Sequence, residues 1–191
     1  MRDGWYCLDR DQARVPGQDE KCAEDLCIHG YQIFSQNEVL TLVFPRTRVI
    51  RDIMNIESWA TRGSAESAHG WLQSWITGLA EQYGFRGWRE ELVPYVSRYG
   101  VPREGRLDIV WLDDVYVVAA FEVDGRVKQK SIAKLENLNA ERFIVSYTQR
   151  ADLWETRIDG YRSVLAEAGI TVLAPLCRRT YVDGLIRRWK I

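Results

Sequence analysis

Two hydrophobic segments in the middle of the chain carry acidic residues where β-strands are expected. In residues 107–111, Leu107, Ile109 and Trp111 alternate with Asp108 and Val110, which is the period-two pattern of a strand. Residues 115–123 are almost continuously apolar and rich in valine, which is typical of a central strand covered on both faces. Glu122 and Asp124 lie two residues apart, so they share one face of that strand. Burial of an unpaired carboxylate costs several kcal/mol, so these acids require a proton, a cationic partner or a metal ion.

The turn between the two strands determines whether the acids meet. The Asp113-Asp114 pair favours turn structure, so we expect an antiparallel hairpin. A two-residue turn at this pair would place Asp108 opposite Ala119 and Glu122 on the other face. A pivot at Val115 would instead place Asp108 opposite Glu122. A metal site therefore requires an odd-numbered loop or a bulge here, and a regular two-residue hairpin would argue against it.

The flanking segments predict helices and strands around this hairpin. A helix is expected to begin at Ser64 and to end at Gly84, because serine favours the cap position and glycine the stop. A strand is expected over Trp88–Ser97, at an edge of the sheet because it contains Pro94. The later elements are expected to be a helix starting at Ser131, a strand over Arg142–Tyr147, a helix from Trp154 to Gly169, a strand over Ile170–Leu176, and a terminal helix containing Val182, Leu185, Ile186 and Trp189.

Residues 1–55 are expected to form an appendage to a main domain over residues 56–191. The appendage contains a predicted β-hairpin of Tyr31–Phe34 and Val39–Phe44. It also contains Cys7, Cys22, Cys27 and His29, whose thiolate and imidazole groups have the count and chemistry of a tetrahedral structural Zn²⁺ site. The spacing of these residues is not that of a regular zinc motif, so the alternative is free cysteines, with His29 as a surface or hydrogen-bonded residue.

Composition and charge restrict the class of protein. The hydrophobic fraction of 46% supports a packed core, and no apolar run is long enough to span a membrane, so we expect a soluble cytoplasmic protein. The formal net charge is −1, so global charge does not indicate a nucleic-acid partner. Residues 178–191 nevertheless contain five basic residues and one acid. This segment is either a phosphate-binding surface or a solvated charged face.

The motif order resembles the PD-(D/E)XK, or restriction-endonuclease-like, nuclease superfamily. It consists of an acid in one strand, Glu-x-acid in the next and a lysine-rich helix start. The resemblance implies an α/β fold with an αβββαβ core, in which helices flank a central mixed sheet, across residues 64–147. It also implies that Asp108 and Glu122 bind Mg²⁺ or Mn²⁺, and that Glu66 in the opening helix is a further acid near the metal.

The sequence departs from this superfamily at Asp124, where a lysine is usual. Either Asp124 is an extra acid, or the cation comes from Lys128 or Lys130. Ion pairing between the acids and the basic cluster that contains these lysines, Arg126 and Lys134 is the structural alternative.

The resemblance implies hydrolysis of phosphodiester bonds, with DNA as the expected substrate and RNA as the alternative. A homodimer would be needed to cut both strands of a symmetric site. The competing hypothesis is an inactive nuclease-like module that binds nucleic acid or a protein, because a lost lysine is one route to such a module. A small-molecule enzyme has no positive support, since the chain lacks the glycine-rich phosphate loops and the nucleophile-elbow motif.

Overall fold

The structure is a computed structural model that describes residues 7–9, 12–14, 44–56, 65–97, 99–114 and 116–189. The chain divides into two units, Met1–Arg46 and Thr47–Ile191. In the first unit, β1 (Cys7–Asp9) and β2 (Gln12–Arg14) pair in antiparallel orientation. The expected hairpin within residues 31–44 lies outside the described residues except for Phe44, as do three of the four expected zinc ligands, Cys22, Cys27 and His29.

An unpredicted helix, α1 (Arg46–Met54), begins at the last residue of the first unit along the chain. Its buried side chains recur at helical spacing, as Val49, Ile50, Ile53 and Met54. The expected domain boundary followed residue 55, whereas all but the first residue of α1 belongs to the second unit.

The second unit is an α/β domain built on a seven-stranded mixed sheet. The strands lie side by side in chain order; the pairs are antiparallel from β3 to β5, parallel from β5 to β7, and antiparallel again from β7 to β9. No helix in the described part of the chain is long and apolar enough to cross a membrane. After α1 the elements are α2 (Ala65–Gln82), β3 (Arg86–Val96), β4 (Pro102–Asp113), β5 (Tyr116–Asp124), α3 (Gln129–Leu135), β6 (Glu141–Ser146), α4 (Ala151–Asp159), α5 (Arg162–Glu167), β7 (Ile170–Ala174), β8 (Arg179–Val182) and β9 (Leu185–Arg188).

At the central strands both faces of the sheet are buried, because these strands carry apolar side chains on each side. On one face an aromatic series connects Trp111, Phe121 and Phe143, and the Trp111 indole donates to the Ile76 carbonyl oxygen of α2 at 3.1 Å. On the other face Ile144 belongs to a cluster formed with α3, α4 and α5, which includes Ile132, Leu135, Trp154, Ile158 and Leu165. Since Phe143 and Ile144 are consecutive in β6, the two clusters lie on opposite faces.

Most of the predicted core elements are present. The glycine stops are confirmed, because Gly84 and Gly169 follow their helices with φ of 78° and 60°, the left-handed region that glycine tolerates. The strand containing Pro94 is the edge strand β3, as expected from the missing backbone donor. The single helix expected from Trp154 to Gly169 is instead two helices, α4 and α5, with the break at Gly160.

The predicted terminal helix is wrong, because its residues form the hairpin of β8 and β9. The two turn residues, Asp183 and Gly184, both have positive φ, 51° and 81°. This conformation is that of the tight hairpin turns that Asp-Gly favours. The short apolar segment therefore follows its turn chemistry rather than its helix-like spacing.

Candidate functional site

The register of β4 and β5 places Asp108 directly across from Glu122. The paired residues include Ile109 with Phe121 and Trp111 with Ala119, and the register shifts between Trp111 and Leu112 at a β-bulge. Continued by one residue beyond Ile109, this register sets Asp108 opposite Glu122. The β-bulge that a facing pair of acids requires is therefore present, and the regular two-residue hairpin that would separate them is not formed.

At this position, hydrogen bonds to the two carboxylates take the place of the regular backbone hydrogen bonds between β4 and β5. The Val123 backbone N–H donates to Asp108 Oδ2 at 2.6 Å, and the Asp108 backbone N–H donates to Glu122 Oε1 at 3.4 Å. Each carboxylate therefore spans the gap between the strands and satisfies a backbone donor of the other strand. Among the described residues nothing donates to the second oxygens, Asp108 Oδ1 and Glu122 Oε2.

The cation closest to this pair comes from α3 and was not singled out by sequence reasoning. Lys134 Nζ contacts Glu122 Oε1, and it also donates to the Arg106 carbonyl oxygen at 2.6 Å. Lys134 and Glu122 are both buried, with 6% and 3% of their surfaces exposed. A signal for this role existed in the sequence, since Lys134 lies between the core positions Ala133 and Leu135 of a short helix. A lysine in that setting needs an anionic partner.

Asp124, which stands where the related superfamily usually has lysine, is turned towards the start of α3. Ser131 Oγ donates to Asp124 Oδ2 at 2.5 Å, and Lys128 Nζ pairs with Oδ1. The Asp124 side chain is buried, whereas that of Lys128 is about half exposed. Lys130 is exposed. Of the two lysines predicted for the site, Lys128 therefore contacts one of its acids, and neither of them is the cation next to Glu122.

Burial dominates the electrostatics of the facing acids. Desolvation raises the pKa of Glu122 from 4.5 to about 7, although the positive charge of Lys134 opposes the shift. Desolvation also raises the pKa of Asp108, while the hydrogen bond from Val123 and the charge of His69 act in the opposite direction. Two neighbouring carboxyl groups with raised pKa values are a frequent feature of functional sites.

The remaining acid predicted for the site, Glu66, and two further polar residues, His69 and Glu90, lie on the neighbouring elements α2 and β3. Glu66 lies in the first turn of α2, but its side chain is outside the described part of the structure. His69 is half-buried on the same helix and packs edge-on against Tyr147, with ring centroids 6.4 Å apart. Glu90 on β3 lies across from Asp108, since Arg89 pairs with Ile109 and Glu91 with Leu107. Glu90 has a positive φ of 60° and accepts a hydrogen bond from Gln73 at 3.3 Å, so it faces α2.

The donor chemistry of the pair fits a hard divalent cation with two protein ligands. In the described part of the chain, no group of three or more His, Cys, Asp or Glu side chains has the arrangement of a metal site. Mg²⁺, however, is often held by one or two carboxylates and keeps several waters. Asp108 Oδ1 and Glu122 Oε2 are two such oxygens on facing residues.

Comparison with known proteins adds no family to this description. No family model matches the chain, and neither a curated protein nor a solved structure is significantly similar to it.

Proposed function

We propose that this chain is a metal-dependent nuclease that hydrolyses phosphodiester bonds in DNA. The observation that carries the proposal is the facing pair of Asp108 and Glu122, with Lys134 buried against it. Burial of two acids and one lysine in an apolar sheet is costly unless the groups satisfy one another or bind a ligand. The three groups carry a net charge of −1 when both acids are ionised, so the site attracts a cation.

The arrangement of elements supports the same proposal. Helix α2, the strands β3, β4 and β5, helix α3 and strand β6 follow one another in the order αβββαβ. This order resembles the core of the PD-(D/E)XK nuclease superfamily, with the first acid on the middle strand and the second on the strand before α3. Similarity of fold does not establish activity, so the site residues carry the argument.

In the proposed mechanism, Asp108 Oδ1 and Glu122 Oε2 would hold Mg²⁺ or Mn²⁺. The ion would supply an activated water and would neutralise charge on the phosphodiester. Lys134 holds Glu122 Oε1, which leaves Oε2 as the oxygen available for the metal. The hydrogen bond with Asp124 raises the pKa of Lys128, so this side chain stays cationic beside the site. As a cation it can contact a phosphate oxygen.

A second candidate function is a nuclease-like module that binds nucleic acid or a protein without cutting. Two observations favour it. Lys134 already pairs with one oxygen of Glu122. The position where the superfamily usually has its lysine is occupied by Asp124, whose oxygens bind Lys128 and Ser131. In this alternative the Glu122–Lys134 pair is a structural ion pair.

The experiment that tests the proposal is incubation of the protein with supercoiled plasmid and with single-stranded DNA, in Mg²⁺, Mn²⁺ or EDTA. Glu122→Gln is the matched variant, because it keeps the shape of the side chain and removes its charge. We expect metal-dependent cleavage that the variant lacks. DNA retention in a gel shift without cleavage would favour the binding module, and equal cleavage by both proteins would exclude this site.

A further inference from the structure

The C-terminal hairpin brings arginines to one end of the sheet, the edge formed by the carboxyl ends of strands β5, β6 and β7, where the acids lie. Strands β5, β6 and β7 are parallel, so their carboxyl ends, including Asp124, meet at one edge. Strand β8 is antiparallel to β7 and begins at this edge with Arg179, and β9 returns to end there with Arg188. Arg178 lies beside Arg188, because its carbonyl oxygen accepts the N–H of Trp189 at 2.9 Å.

Arg179 and Arg188 of the hairpin also share a face of the sheet with the acids. Tyr181 packs in the same cluster as Ala120 and Ile144, so the three lie on one face. Glu122 is two residues from Ala120 in β5. In β8, Arg179 is two residues from Tyr181, and Arg188 pairs directly with Arg179.

The hairpin carries more positive charge than the described chain neutralises. Like charges directly across a strand pair are destabilising, yet Arg179 and Arg188 are such a pair. Glu155 of α4 pairs with Arg179 at 2.5 Å. In the described part of the chain, neither Arg178 nor Arg188 forms an ion pair, and both are exposed. The one acid of the hairpin, Asp183, lies in the turn at the opposite end.

The distance from the acids to the arginines suits a nucleic-acid strand. Four strand intervals separate β5 from β9, which is about 19 Å at the usual spacing of roughly 4.8 Å. A nucleic-acid strand carries one phosphate per about 3.4 Å of helix axis, so about five or six phosphates span this length. A strand held at the acids can therefore reach the hairpin without a large bend.

We propose that the β8–β9 hairpin binds the phosphodiester backbone of nucleic acid through Arg178 and Arg188. This inference rests on the proposed function, since it assigns a second contact to the substrate of the same site. The guanidinium groups pair with phosphate oxygens in the bidentate geometry that arginine favours. Phosphate contacts position a nucleic acid without reading its bases, so the hairpin contributes affinity rather than sequence specificity.

The test is the affinity of the full chain for labelled single-stranded and duplex DNA, measured by fluorescence anisotropy in EDTA over a series of salt concentrations. Arg178→Ala/Arg188→Ala should bind DNA more weakly, and the negative slope of log K against log salt should become shallower. The expected decrease is about 1.4 for single strands and about 1.8 for duplex, because each lost phosphate contact removes about 0.7 or 0.9. Arg178→Lys/Arg188→Lys keeps both charges and should retain the slope.

Arg157→Ala is the matched control, because Arg157 is an exposed arginine in the last turn of α4, two residues beyond Glu155 and therefore on the opposite side of the helix from the contact with Arg179. Its slope should equal that of the wild type, and circular dichroism should show all variants folded. An unchanged slope in the double alanine variant, or a wild type that binds no DNA, would overturn the inference. Binding that depends on the arginines in a protein that never cleaves would support the surface and reject the nuclease activity.

Discussion

Lys134 on α3 and Glu122 on β5 form an ion pair in which both side chains are less than a tenth exposed. The pair connects the helix to the strand that carries the second acid of the site. The same ammonium group also binds the Arg106 carbonyl oxygen of β4, so one lysine links three elements. The position of Glu122 relative to Asp108 therefore depends on α3.

The first prediction concerns the removal of this lysine. Lys134→Met should lower the free energy of unfolding by about 3–5 kcal/mol at alkaline pH, because Glu122 is then a buried carboxylate without a cationic partner. At acidic pH the loss should be smaller, since Glu122 is protonated there. Urea denaturation at both pH values measures the difference.

Lys130→Met is the control for this prediction, as Lys130 is an exposed lysine of the same helix. It should change stability by less than about 0.5 kcal/mol. The double variant Lys134→Met/Glu122→Gln should recover part of the loss, because it removes the unpaired charge. A single variant as stable as the wild type at alkaline pH would show that the ion pair does not hold α3 on the sheet.

The second prediction is a decline of stability with rising pH. The pKa of Glu122 is raised from 4.5 to about 7 in the folded protein, so between these values the folded state binds more protons than the unfolded chain. Its stabilising contribution is present below pH 4.5 and is lost as the pH rises through about 7. The contribution is on the order of 3 kcal/mol. Asp108, whose pKa is also raised by burial, acts in the same direction.

Urea unfolding of the wild type and of Glu122→Gln between mildly acidic and mildly alkaline pH tests this decline. The variant has no proton to lose at this position, so its midpoint should vary less with pH. The same titration predicts that metal-dependent cleavage rises with pH up to about 7, since a metal ligand must be deprotonated. An equal pH dependence in both proteins would assign the effect to other groups.

Much of the acidic hairpin could be predicted because strand periodicity is local. The alternation around Asp108 and the apolar run before Glu122 define two strands, and only the register remained open between two explicit possibilities. The bulge that decides it lies at the Trp111–Leu112 step, in a run of apolar residues without a sequence signal for a bulge. The better guide to the register was the hypothesis of a shared metal site, which requires Asp108 and Glu122 to face each other.

Lys134 and the C-terminal hairpin could not be placed from local pattern alone. Which lysine reaches Glu122 depends on where α3 begins and how it packs on the sheet, and these are tertiary properties. In the hairpin, strands of four residues put apolar side chains at spacings that also fit a helix. The Asp183-Gly184 dipeptide was the signal that favoured the hairpin.

The third prediction separates the charge of Asp108 from its structural bond. Asp108→Asn keeps an oxygen that can accept the Val123 N–H, so the β4–β5 junction should remain folded. Metal affinity and DNA cleavage should fall by at least about tenfold, because even the loss of a residue that only supports a metal ligand costs about that much. Asp108→Ala should lose cleavage as well, and it should also be less stable because the Val123 donor is left unpaired.

Asp114→Asn is the matched control for Asp108→Asn. Asp114 is exposed in the β4–β5 turn with φ of 51°, a conformation that asparagine also tolerates. It should leave stability and cleavage unchanged. Binding of Mn²⁺, followed by electron paramagnetic resonance, provides a readout that does not depend on catalysis. Full cleavage by Asp108→Asn would reject Asp108 as a metal ligand.

The fourth prediction assigns Asp124 to the anchoring of α3 rather than to the metal. Its two oxygens are engaged by Ser131 and Lys128, whereas Asp108 and Glu122 face each other across the strands. Ser131→Ala removes a hydrogen bond to a charged group in a buried setting and should cost about 1.5–3 kcal/mol of stability. Mn²⁺ affinity should change little, and cleavage at a temperature where the variant is fully folded should stay within a few-fold of the wild type.

Lys128→Met tests the other oxygen of Asp124 and is expected to behave differently. The Lys128 side chain is half exposed, so its loss should cost no more than about 1 kcal/mol of stability. If this lysine contacts the phosphodiester, the variant should nevertheless cleave more slowly and bind DNA with a weaker salt dependence. If instead Ser131→Ala abolished Mn²⁺ binding in the folded protein, Asp124 would belong to the metal site, and the departure from the lysine motif would have a catalytic meaning.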